Sequence, residues 1–364
     1  AVRGDDNAAT LAQRGKAAAW LILGQFDRLP EGAPDRKSYL LRARDTYRQL
    51  ERSGQQDEAV YSGLAWCSIL LDGWGEARAP LADAARLNPT NPTYPALQGL
   101  VAWLDSTRFD DAPLTNEPDS AYARAILEAL DHYTHVIELT SQQRSQAYAT
   151  RSVLYYSLRN VGRGAVYSDS DYGEWMQQAI GDMNQALVLA GDEQLSEAEQ
   201  VGYHYWRGRL SFSLALTWQR RLRGLHSWDE LVPLYSQAYG DFRTAVAHDP
   251  NGRRLSEYDS LRIPWTAYML NNAQHMQQAQ RLIRAGDFAR ARDELELVVP
   301  ILTTQQKRDW DALGEPNPDY SLFHALIMLG LGEPADFANP LLDGPPSAEA
   351  SIERAIRDAD NNAI

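Results

Sequence analysis

Apolar residues recur along this chain at steps of four and three, and a fourth marked position follows five residues later. Ala77-Leu81-Ala84-Pro89 is one instance. Ala129-Tyr133-Val136-Ser141, Ala179-Met183-Ala186-Gly191, Ala238-Phe242-Ala245-Pro250 and Ala291-Leu295-Val298-Thr303 repeat it. Steps of four and three put the first three residues on one helix face, in the order small, large, small or branched. The fourth falls where the helix is expected to stop, and Pro or Gly there resists its continuation. Such a face admits a neighbouring helix closely at the small residues while the large one fills the gap. Its recurrence predicts stacked helix pairs.

The same periodicity predicts helices over 7–28, 35–53, 57–71, 75–88, 94–106, 119–139, 145–159, 172–190, 196–223, 228–248, 264–285, 287–303, 319–331 and 347–359. Turn punctuation agrees: LNPTNP, AGDEQLS, HDPNGRR and GEPNPDY gather Pro, Gly, Asn and Asp between the periodic runs. Alternation of period two is lacking, so a sheet is not expected. The segment 332–346, GEPADFANPLLDGPP, reads as an extended Pro-rich stretch crossing the last helices before a capping helix.

Residues 58–92 resemble a tetratricopeptide repeat (TPR). Tyr61, Leu64 and Ala65 fill that family's first-helix positions, Gly73 and Trp74 its turn, and Ala77, Leu81, Ala84 and Pro89 its second helix. Ala43 and Tyr47 match second-helix places of a preceding copy, and Ala43 to Ala77 is the family's period of 34 residues. Later copies carry Arg151, Ser152 and Tyr155, then Arg207 and Gly208, then Gly286, Phe288 and Ala291. The small second-helix residues after Ala77 are 52, 50, 59 and 53 residues apart, which requires stretched first helices or inserted segments. The resemblance implies an all-α, right-handed α-solenoid of about six antiparallel hairpins. Three parts are expected: an N-terminal hairpin or cap over 1–56, a repeat array over 57–310 with inserts near 107–119 and 160–175, and C-terminal helices with the Pro-rich segment over 311–364. The apolar stretch AAAWLILGQF (17–26), with Trp20, Ile22 and Phe26, is expected to cover one end of the stack, and the polar SIERAIRDADNNAI (351–364) the other.

Composition supplies the exclusions. A net charge of −14 over 364 residues reads as unfavourable to nucleic acid and favourable to a neutral or basic protein partner. No apolar run reaches 18 residues, so no membrane span is expected. The first residues, AVRGDDNAAT, carry no Met and no apolar signal region. They fit a processed or excised chain, either cytoplasmic or exported after loss of an N-terminal segment. The single Cys67, in LAWCSILL, reads as a packed thiol.

Candidate chemistry is sparse. His132 and His135 stand three apart beside Asp131 with no further ligand, so they read as solvated or hydrogen-bonded histidines. DSDYG (169–173) begins like a calcium loop and lacks its later ligands, so it reads as a polar turn. There is no GxSxG, Gly-rich phosphate loop or HExxH, and no catalysis, metal or cofactor is expected.

In TPR arrays the first helices line a concave groove, and the resemblance places Ser62, Trp66 and Ile69, Ala149, Val153 and Tyr156, Tyr205, Arg209 and Phe212, and Met276, Gln280 and Ile283 there, with Gln277 and Arg284 alongside. Trp66, Tyr156, Tyr205, Arg209, Phe212, Gln277, Gln280 and Arg284 are the candidate peptide-binding residues, because aromatic side chains and Arg make good anchors. Ser62 and Trp66 occupy the places of a chaperone-carboxylate clamp's Lys and Asn, so that activity does not carry over. The expected function is a monomeric, non-catalytic scaffold holding a peptide or protein segment. The alternatives are the sensor region of a protease or kinase whose catalytic domain lies outside this chain, or a small-molecule-binding solenoid.

Overall fold

A computed structural model describes residues 2–23, 34–107, 121–140, 144–158, 169–221, 227–249 and 262–298, with the single residues 25, 255, 326 and 327. Among the described residues there is no strand. The helices are α1 (Val2–Leu23), α2 (Arg36–Arg52), α3 (Glu58–Leu70), α4 (Trp74–Leu87), α5 (Thr93–Thr107), α6 (Ala121–Leu139), α7 (Arg144–Leu158), α8 (Asp169–Asp192), α9 (Glu197–Arg221), α10 (Trp228–His248), α11 (Arg262–Ala285) and α12 (Phe288–Val298). Of the expected inserts near 107–119 and 160–175, residues 108–119 and 160–168 lie outside the described residues, as do the Pro-rich stretch and the capping helix 347–359, whereas residues 169–175 begin α8. Of the expected helix 319–331 only 326 and 327 are described, and both are helical.

The chain forms two compact units, residues 1–168 with 181–193, and residues 169–180 with 194–364. In the first, each helix from α1 to α7 packs on the next. In the second, α9, α10, α11 and α12 do the same. Both are stacks of helix hairpins, all-α and TPR-like, the arrangement of a solenoid.

The recurring faces build these stacks. All fifteen small-large-small residues, from Ala77, Leu81 and Ala84 to Ala291, Leu295 and Val298, are buried. Ala43, Tyr47 and Leu50 of α2 have the same spacing and burial. The stops behave less uniformly. Pro89 follows the end of α4 at Leu87, whereas Gly191 lies inside α8, which runs on to Asp192. In the turn that follows, Gln194 lies in the left-handed region at φ 57. Gly286 (φ 77) makes the turn between α11 and α12, a conformation in which any Cβ is strained.

The wide repeat spacing has two physical origins. In the second unit it comes from long helices: α9 has 25 residues and α11 has 24, against 13 in α3. In the first unit α5 and α7 keep 15 residues each, and the extra length falls in the segments that follow them.

At the N-terminal end, Trp20 and Leu21 of α1 pack on a core of Ala17, Ala43, Tyr47, Leu50, Val60, Leu64 and Cys67. The helix thus covers α2 and α3, while Ile22 stays 56% exposed and Phe26 lies outside the described residues. Cys67 is fully buried, and burial pushes its thiol up to about 12, so it is a packing residue with little thiolate at neutral pH.

A polar knot ties α3 to the turn that LNPTNP makes. The Glu58 carboxylate accepts from Tyr94 Oη at 2.5 Å, and from Asn88 Nδ2 at 3.1 Å and Asn91 Nδ2 at 3.3 Å. These donors, Tyr94 first, hold the Glu58 carboxyl below its ordinary value, and burial, reinforced by the neighbouring carboxylate, pushes Tyr94 up to about 12. A carboxyl lowered in the fold stabilises it above its unfolded pKa and loses that stabilisation as pH falls through the folded value. Glu58→Gln is therefore expected to be less stable than the parent at pH 7. The difference should shrink in urea titrations run progressively below about pH 4.

Candidate binding faces on the first helices

The helices that open each hairpin were the expected home of a binding face, and their two sides differ. One side is locked to the partner helix by a device the repeat spacing did not reveal. Arg151 of α7 grips Asp182 of α8 with Nε to Oδ2 at 2.7 Å and Nη2 to Oδ1 at 2.8 Å. In the second unit Arg207 of α9 grips Asp241 of α10 in the same way, at 2.8 and 2.6 Å, and His204 Nδ1 stands 3.1 Å from the same carboxylate. His275 of α11 meets Glu294 of α12 at 2.8 Å. Each acid directly precedes the large residue of its helix face, Met183, Phe242 or Leu295. Asp182 and Asp241 are buried, so the bidentate pairs fix the register of each hairpin where an unpaired charge would be costly.

Small residues on the first helices complete that side. A Cβ added at Gly99 would fall 2.8 Å from the Tyr133 ring, and one at Gly208 3.0 Å from Phe242. Both glycines precede their aromatic by 34 residues (133 − 99 and 242 − 208), so α5/α6 and α9/α10 cross in the same register.

The candidate residues separate accordingly. Tyr156 is 6% and Phe212 7% exposed, and Phe212 lies edge-on to Tyr235 of α10, with ring centres 5.9 Å apart. These two are packing residues with little surface to offer a ligand. Trp66 is half-buried against the core of Tyr61, Ala65, Ala77 and Leu81. Gln277 donates to Asp229 of α10 at 2.7 Å beside Arg281, so it ties α10 to α11. Gln280 is half-buried with its Oε1 enclosed and lacking a hydrogen-bond partner, and Arg284 is exposed.

Tyr205 and Arg209 are half-buried, and a residue that spacing did not single out joins them. The Arg209 guanidinium lies over the Trp206 ring, 4.8 Å from its centre, and Tyr205 meets Trp206 edge-on at 6.2 Å. Tyr205 also leans on Phe242 at 5.9 Å, which anchors the group to the hairpin core. One turn of α9 thus presents a stacked Arg–Trp pair with a Tyr beside it. Trp206 stands three residues before Arg209 on the helix, a neighbouring position that the sequence already contained.

The remaining candidates are placed as follows. His132 is half-buried, 3.9 Å from Glu128, and burial lowers its pKa; His135 is exposed, 3.4 Å from Glu138. Among the described residues no three or more His, Cys, Asp or Glu side chains are grouped to hold a metal ion. Asp169 to Gly173 form the first turn of α8, so the backbone there is helical and does not loop around an ion. Among the described residues no helix is long and apolar enough to cross a membrane.

No family model matches the chain, and no curated protein sequence does. Solved structures do. A monomeric mutant of IFIT1 with m7Gppp-AAAA is 12% identical with a TM-score of 0.34, covering 90% of this chain and 60% of its own. The human IFIT1 dimer with m7Gppp-AAAA gives 13%, 0.35, 90% and 63%. The same dimer with PPP-AAAA gives 12%, 0.30, 90% and 59%. The chain thus spans about three fifths of the length of these structures. They contain RNA, and the partner expectation is corrected on that point: nucleic acid does not stand excluded. The exclusion rested on net charge, a sum over the whole surface that leaves any one helix face undescribed.

Proposed function

We propose that this chain is a non-catalytic binding scaffold whose first-helix faces hold an extended segment of a protein partner. The observation that supports this most is the Tyr205–Trp206–Arg209 group on α9. Two aromatic rings and a guanidinium held over one of them present large contact area with little rotamer entropy left to lose on binding. They sit on a helix fixed to α10 by Arg207–Asp241 and Gly208–Phe242, and Tyr205 itself rests on Phe242, so the group is preorganised.

The test is capture of partners from a cell extract, followed by titration of the recovered segment. Replacing Tyr205, Trp206 and Arg209 together by alanine is expected to weaken binding at least about a hundredfold, two anchors at about 1.4 kcal/mol each, with the helical circular dichroism unchanged. Retained affinity would place the binding face elsewhere. Tighter binding of a capped oligoadenylate than of any recovered peptide would replace the peptide reading with RNA.

A further inference from the structure

Helix α2 carries a charge opposite to that of the chain. Arg36, Lys37, Arg42, Arg44, Arg48 and Arg52 face only Asp45 and Glu51 within it, a net +4, so the other residues sum to −18 of the overall −14. Packing puts these charges at the surface: Arg36, Lys37, Arg42 and Arg52 are exposed along about 25 Å of helix. Local helix stability does not call for this placement. Arg36 and Lys37 occupy the first turn, where the helix dipole disfavours cations, and the acid next to them, the N-cap Asp35, accepts from Ser38 N at 2.7 Å. The helix also shows which anion it takes. Arg48 Nη2 and Arg44 Nη1 converge on one carboxylate, Glu76 of α4, at 3.0 and 3.8 Å. Two guanidiniums four residues apart on the helix thus meet on that carboxylate, and Arg44 Nε also lies 3.9 Å from Asp45 Oδ1.

From this we infer that the exposed face of α2 is a docking surface for an acidic peptide segment of a partner protein, separate from the face on α9. Its carboxylates would lie along Lys37, Arg42 and Arg52 as Glu76 lies between Arg44 and Arg48. Charge complementarity in an otherwise acidic chain gives the partner its orientation.

The test is fluorescence anisotropy of a labelled decaglutamate peptide with the whole chain at low salt, against Lys37→Glu, Arg42→Glu and Arg52→Glu combined. The parent should bind and the triple variant should bind at least about tenfold more weakly, with unchanged helical circular dichroism. Raising salt should weaken the parent's binding. The alanine triple at Tyr205, Trp206 and Arg209 should bind decaglutamate like the parent, so this inference stands or falls apart from the proposal for α9. Absence of binding by the parent, or equal affinity in the Glu triple, would overturn it. So would tighter binding of an oligouridylate of equal length, or salt-sensitive self-association abolished by the same substitutions.

Discussion

Replacing Asp241 by alanine is expected to remove about 3–5 kcal/mol from the stability of the second unit, the largest effect of any single polar substitution considered. Asp241 is 3% exposed and its two oxygens take Arg207 Nε and Nη2 at 2.8 and 2.6 Å, with His204 beside them. Truncation leaves a guanidinium in the hairpin with its main partner gone. The cost is that of a half-buried guanidinium that has lost its bidentate carboxylate, and it exceeds the net worth of the pair. Removing both ends, as Arg207→Met with Asp241→Leu, should therefore recover most of the loss. The exposed pair Arg281–Asp229, at 55% and 43% side-chain exposure, should contribute under about 1 kcal/mol when broken. Urea unfolding followed by tryptophan fluorescence separates these cases. A loss below about 1 kcal/mol for Asp241→Ala would show that the pair does not fix the hairpin.

Gly63→Val should cost about 3 kcal/mol through overpacking. A Cβ at Gly63 would stand 2.4 Å from Tyr47 Cζ and 2.5 Å from Cε2, inside the ring's own contact shell. Tyr47 cannot yield cheaply, because it is 5% exposed and packed among Ala43, Leu50, Leu64 and Cys67. The helix-forming gain from replacing glycine, at most about 1 kcal/mol, does not offset that. Gly202 is the control: nothing lies within 4 Å of its Cβ position in α9, so Gly202→Ala should stabilise by about 0.5–1 kcal/mol. Thermal or urea unfolding of both variants measures the contrast.

Much of the fold is legible in the sequence because each second helix carries its core face as a spacing that needs no partner to recognise. Ala77-Leu81-Ala84 and its four counterparts are all buried, and the helices they belong to fall within a few residues of their expected limits. Helix ends are less legible, as Gly191 shows: glycine permits a stop without requiring one. The first helices are less legible still. They pack on more than one side, so an aromatic such as Phe212 satisfies both a groove position and a core position, and only contact with Tyr235 decides between them. Asp182 and Asp241 escape a hydrophobic reading because they are charged and buried at once. The signal was present in Gly-Asp-Met and Gly-Asp-Phe, each opposite an Arg followed by a small residue, Arg151-Ser152 or Arg207-Gly208. Trp206 escapes a repeat alignment because the alignment assigns one residue per turn to the ligand face, whereas Arg209 lies over the Trp206 ring beside it.

The central claim, that the Tyr205–Trp206–Arg209 group of α9 holds the ligand, is tested most directly by hydrogen–deuterium exchange of the chain with and without its captured partner. Slowed exchange is expected in peptides spanning Tyr205 to Arg209, with the Arg207–Asp241 side of α10 unchanged because it is already protected. Protection confined to other helices, with residues 205–209 exchanging as in the unbound chain, would contradict the account.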